Sequence, residues 1–130
     1  MATELLGDIV ISPRVLEVIT GIATTKVEGV HSLQNKSVTD TISKDAFTKG
    51  IYLTNDEAAG TLTADIYVYL QYGVNVPAVS MAIQKAVKAA VYDMAEIEVT
   101  DVNIHVLAIV PEKTPKPDYE HLFEEDFLND

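Results

Sequence analysis

The clearest pattern in the chain is a strict alternation over residues 61–72. Leu62, Ala64, Ile66, Val68 and Leu70 fall on one side; Thr63, Asp65, Tyr67, Tyr69 and Gln71 fall on the other. A period of two with one apolar face predicts a half-buried β-strand. Residues 49–54 make a shorter strand-like run before it, and residues 55–60 supply a turn between them, so the two predict a hairpin. After the long strand the period changes. Gly73 stops the strand, Asn75 is placed to cap a helix, and Pro77 stands in the first turn, where its missing N–H costs nothing. Val79, Ile83, Ala86, Val87, Ala90 and Met94 then recur at helical spacing, with Ser80, Gln84, Lys85, Lys88 and Tyr92 on the other face. A last strand follows, with Val102, Ile104, Val106 and Ala108 on one face and Asn103, His105 and Leu107 on the opposite one.

The first third of the chain repeats this grammar less clearly. Residues 7–11 (GDIVI) read as a short strand ending at Ser12-Pro13, a capping residue followed by a suitable first helical residue. Val15, Val18, Ile19, Ile22 and Ala23 predict the apolar stripe of the helix that follows. Gly21 inside it costs about 1 kcal/mol relative to Ala, which points to a close packing contact. Gly29 breaks the chain before a short strand at residues 30–33. Residues 34–48 carry few apolar positions and permit either a helical turn or a loop.

The order β-α-β, hairpin, α-β predicts an α+β two-layer sandwich. Two main helices pack on one face of a small mixed or antiparallel sheet, whose other face stays open to water. Residues 1–110 make this domain. Residues 111–130 are a linker with three prolines in its first seven residues, then an acidic, aromatic tail.

Composition narrows the function classes. The chain has 130 residues, enough for a single core, and no cysteine, which removes disulfides, thiolate metal sites and thiol catalysis. Its net charge of −11 disfavours phosphate backbones and anionic lipid. No stretch reaches the roughly 18 apolar residues of a membrane span, and no signal-type segment opens the chain. The expectation is therefore a cytoplasmic protein that inserts in no membrane and binds no nucleic acid. Its three histidines, His31, His105 and His121, lack metal-ligand spacing and read as surface or half-buried residues. No nucleophile elbow, phosphate loop or dinucleotide fingerprint is present. The expectation is no catalytic residue, no metal and no cofactor.

Two surfaces remain. Tyr52, Tyr67, Tyr69, Gln71, Asn103 and His105 fall on the open sheet face if their strands are neighbours. Aromatic residues on an open sheet serve single-stranded nucleic-acid binding, but they are also enriched at protein interfaces and suit a pleated surface in any case. Asp65 among them and the acidity of the chain favour a protein contact or self-association. In the tail, Tyr119, Leu122, Phe123 and Phe127 fall at helical spacing. Residues 112–130 hold seven acidic and two basic side chains, a net −5, leaving −6 for the body. Such a segment docks in a partner's groove, folds back on its own domain or remains a solubilising end.

Several short motifs in order resemble the alkaline-shock-protein family of bacterial envelope-stress proteins. They are Gly7-x-Ile9-x-Ile11, Val27-x-Gly29-Val30, Lys49-Gly50-Ile51 and Tyr72-Gly73. Val79-x-x-x-Ile83-Gln84-x-x-Val87 follows with Ala90, Val91 and Met94, then Val99-x-x-Val102-Asn103-Ile104-x-Val106. Each is mostly apolar pattern, and the specificity lies in their order and spacing. The chain departs at Met94-Ala95-Glu96-Ile97, where the family often has a glycine. The resemblance implies a small cytoplasmic protein of Gram-positive-type bacteria, tied to envelope or general-stress homeostasis. It also implies that some members reach the membrane through a membrane-anchored partner, and that no catalytic residues are established. The resulting expectation is a non-enzymatic interaction or scaffold protein with a protein partner, and self-association as a further option. The alternatives are a regulatory domain that controls a metabolic enzyme by contact, and a nucleic-acid binder acting through the tyrosine face.

Overall fold

The long alternating segment becomes β3 (Thr61–Gln71), the central strand of a four-stranded sheet, with neighbours on both sides. The computed structural model describes residues 6–33, 50–56 and 58–111. In chain order the elements are α1 (Pro13–Thr25), β1 (Val30–Leu33), β2 (Ile51–Asp56), β3, α2 (Val76–Ala95) and β4 (Val99–Val110). One flank of β3 is shared by β1, paired at Val30↔Leu70 and Leu33↔Val68, and β2, paired from Ile51↔Ile66 to Asp56↔Thr61. Both run antiparallel to β3, so they form one edge from two pieces of chain. The other flank is β4, parallel to β3 from Leu62↔Val99 to Gln71↔Val110. The sheet is mixed, because the crossover through α2 returns the chain in the direction of β3.

Both helices cover the inner face, α1 over β1 and β2 and α2 over β4. The alternation of β3 is reproduced residue for residue, with Ala64, Ile66, Val68 and Leu70 fully buried. Val79, Ile83, Val87 and Val91 of α2 lie over them, with Leu16 and Ile19 of α1. Each full burial of such a side chain stabilises by about 1.5–3 kcal/mol, which makes this two-layer interface the main source of stability. The caps form as expected. Ser12 Oγ accepts from the Val15 N–H at 3.3 Å and Asn75 Oδ1 from the Ala78 N–H at 2.9 Å.

Several expectations are corrected. Residues 7–11 pair with none of the described strands, so the element order begins with α1. The buried residues of α1 are Leu16, Ile19, Thr20, Gly21, Thr24 and Thr25, whereas Val15 is exposed. The threonines tolerate burial because Thr20 Oγ1 donates to the Leu16 carbonyl at 2.9 Å and Thr24 Oγ1 to the Thr20 carbonyl at 2.8 Å. Each hydroxyl is satisfied within the helix, leaving a methyl for the core. In α2 the buried row advances by four residues at each step and passes through Val91, leaving Met94 exposed. Gln84, assigned to the polar face, donates from Nε2 to the Val102 carbonyl of β4 at 3.0 Å. In β4 an irregularity falls between the pairs Val68↔Val106 and Tyr69↔Ala108. Leu107 is the extra residue there, so Ala108 follows Tyr69 onto the outer face and the expected alternation fails beyond Val106. His31 is fully buried, with Nδ1 3.0 Å from Ser32 Oγ. The choice between helical turn and loop for residues 34–48 lies outside the described residues.

Candidate functional site

The outer face of the sheet has no helix on it among the described residues, and three strands bring side chains together at its centre. Register does this. Tyr52 of β2 is opposite Asp65 of β3, Asp65 is opposite Asn103 of β4, and Tyr67 is opposite His105. Residues 65 and 67 of one strand thus anchor two adjacent cross-strand rows.

The Tyr67 and His105 rings stack with centroids 4.2 Å apart and planes 9° from parallel. Tyr52 meets Tyr67 edge to face, at 5.6 Å and 86°. Beside the rings, Asp65 Oδ1 accepts from Asn103 Nδ2 at 3.1 Å and lies 3.1 Å from His105 Nε2. One carboxylate oxygen therefore orients both β4 side chains, and it sets His105 at the angle that permits the stack. The His105 side chain is 40% exposed and Asp65 33% exposed, so their contact is open to water. Tyr52 is more open still, at 56%. The arrangement is a rigid, partly wetted aromatic platform. Chemically it offers ring faces and edges, a phenol at each tyrosine, and an imidazole whose second nitrogen is not committed to Asp65.

Four of the six residues read from the sequence as one surface are joined here: Tyr52, Tyr67, Asn103 and His105. Tyr69 and Gln71 continue the same face of β3 toward its C-terminal end, beside Ala108 and Val110, and stand apart from the cluster. Asp65 was read only as a charge unfavourable to nucleic acid, yet it is the residue that holds Asn103 and His105. The signal was present in the alternation, since Asp65 is two residues before Tyr67 on the same face. The tail residues Tyr119, Leu122, Phe123 and Phe127, with His121, lie outside the described residues.

An open cleft of about 340 Å³ lies beside the contact of α2 with β4, lined by Lys85, Lys88, Thr100, Asp101 and Asn103. Among the described residues no three His, Cys, Asp or Glu side chains converge as metal ligands, and no helix is long and apolar enough to cross a membrane.

Comparison with known proteins agrees with the motif order. The model of the alkaline-shock-protein family, described as having a cell envelope-related function, matches residues 1–111. The chain belongs to the alkaline-shock-protein family. This family member is 68% identical to the uncharacterized protein Spy1535 of Streptococcus pyogenes serotype M6, over the full length of both. It is 31% identical over 107 residues to the uncharacterized protein YqhY of Bacillus subtilis, covering 80% of this chain and 78% of that one. Among solved structures, a MamM CTD variant aligns with a TM-score of 0.46 and 15% identity, covering 73% of this chain and 95% of the other. The platform residues lie within the part of the chain that the family model matches.

Proposed function

We propose that this alkaline-shock-family domain is a non-enzymatic binding module of cell-envelope homeostasis, which engages a protein partner through the outer face of its sheet. The observation that supports this reading is the Tyr52–Tyr67–His105 platform, held in place by Asp65 on a face that none of the described helices covers. Tyrosine and histidine fixed in this way lose little side-chain entropy on binding and present both apolar and hydrogen-bonding surface. The shape is an open sheet, which suits a flat or extended protein surface better than an enclosed small molecule. With a net charge of −11, the partner presents a neutral or basic surface, and the location is cytoplasmic, at the membrane only by way of that partner.

A crosslinking pull-down from envelope-stressed cells tests the reading with two baits, the wild-type chain and a Tyr52→Ser/His105→Ser variant that melts like it. Recovery of a membrane-anchored protein by the wild type alone supports the proposal. Equal recovery by both baits removes the platform from the interaction. Recovery of a soluble metabolic enzyme in place of a membrane protein replaces envelope scaffolding with enzyme regulation.

A further inference from the structure

Residues 6–10 form an arm with the composition of a strand and none of the described strands beside it. Leu6 is 96% exposed, Ile9 91% and Val10 87%, so three of five consecutive residues offer large apolar side chains to water. Among the described residues no backbone hydrogen bond ties this arm to the body. Two of the three side chains are β-branched and favour an extended chain.

Among the described residues, one edge of the right kind has no strand against it. β4 pairs with β3 on one side, and none of the described strands lies on its other side along Val99–Val110. Residues 106–110 of that strand (VLAIV) contain no charge and no proline, and Leu107 and Ile109 are 44% and 41% exposed. Free edges of sheets normally carry lysine or proline, or are short, so that they do not recruit another strand. This edge is long, and its second half has no charge and no proline, its single irregularity being the extra residue Leu107. Five residues of arm span about 17 Å, the length of the five-residue stretch 106–110.

The arm does not meet its own edge. It precedes α1, which packs over β1 and β2, whereas β4 lies on the other side of β3. Residues 106–110 also lie beside Val68 to Gln71, next to β1, where the C-terminal end of α1 leads in. The arm leaves from the opposite end of that 13-residue helix, about 20 Å away.

We propose that the arm of one copy adds as a strand to the outer edge of β4 in a second copy, and that the reciprocal exchange closes a two-fold dimer. Each chain carries one donor arm and one acceptor edge, so a pair satisfies both and leaves no open end. Charge restricts where two copies, each at −11, can touch. The arm has only Asp8, and residues 106–110 have no charge, so this contact avoids the repulsion that most other surfaces would bring. The outer sheet face with Tyr52, Tyr67 and His105 is not consumed by the pairing, because a strand added at an edge extends that face.

The test uses the full chain. Sedimentation at micromolar concentration should give twice the chain mass of 14.2 kDa, and the Ile9→Asp/Val10→Asp variant should run as a folded monomer whose melt, unlike that of the wild type, does not depend on concentration. The chain has no cysteine, so Val10→Cys and Leu107→Cys can each be introduced alone. A mixture of the two single variants should give heterodimers with a short thiol crosslinker. A chain carrying both should crosslink at dimer mass. A monomeric wild type, or a dimer that survives the arm substitutions, overturns the proposal. So does an absence of crosslinks in the mixture, or a closed loop at monomer mass, which would show the arm folding onto its own sheet.

Discussion

Tyr67 of β3 lies flat against His105 of β4, with ring centroids 4.2 Å apart, although 38 positions separate them in the chain. The stack exists because β3 and β4 are parallel neighbours with these two residues in register. Tyr67→Leu should remove the ring current felt by His105 while leaving the fold intact. In proton spectra the His105 ring resonances should move toward their solvent-exposed positions, and the loss of two ring contacts should lower stability by about 1–2 kcal/mol. Unchanged His105 resonances would show that the stack is not populated in solution.

Asp65→Ala separates binding from stability. Its partners Asn103 and His105 remain accessible to water, so the substitution should cost no more than about 1 kcal/mol in a thermal melt. The two β4 side chains would lose their common anchor, and affinity for any ligand of the platform should fall. A large loss of stability together with unaltered binding would reverse the role assigned to Asp65.

The facing of α2 is checked by a pair of substitutions. Ile83 is fully buried and Lys88 exposed. Ile83→Asp buries an unpaired carboxylate and removes core packing, and should destabilise by about 4 kcal/mol or prevent folding. Lys88→Asp should stay within about 0.5 kcal/mol of the parent. Similar midpoints in denaturant for the two variants would contradict the packing.

Two left-handed positions should respond in opposite directions. Glu96 ends α2 at φ 58°, its N–H donating to the Tyr92 carbonyl. An L-residue there costs about 1–2 kcal/mol, partly offset by the greater unfolded freedom of glycine, so Glu96→Gly should raise the midpoint by a few degrees. Gly29 has φ 102°, and a Cβ added there would come within 2.9 Å of Val79 Cγ2. Gly29→Ala therefore meets both backbone strain and the core, and should cost at least about 2 kcal/mol. A neutral Gly29→Ala melt would be incompatible with this approach of chain and helix.

Removal of residues 112–130 should leave the domain folded. β4 ends at Val110, which is buried and whose carbonyl accepts from the Tyr72 N–H at 2.9 Å. A chain ending at Pro111 should melt within a degree or two of the full chain. A large loss would assign Tyr119, Phe123 and Phe127 to the core and make tail docking on a partner unnecessary.

The sequence alone determined the elements whose periodicity is strong and whose ends are marked. The two-residue period of β3 and the caps Ser12 and Asn75 depend on neighbours a few positions away, and each was read correctly. So was the α+β sandwich, because the two helix stripes and the one apolar strand face require each other. Tertiary structure decided what depends on who stands beside whom. Residues 7–11 have the pattern of a strand, but a strand forms only against a partner, and the turn into α1 brings them beside none of the described strands. Leu107 looks regular in β4, yet the pairing with β3 makes it the extra residue and turns Ala108 outward. Tyr67 and His105 were legible as outward-facing residues, whereas their stack and the shared anchor at Asp65 follow from the parallel register of two strands that the long helix α2 separates in sequence. Periodicity states which way a side chain faces; only strand order and register state what it touches.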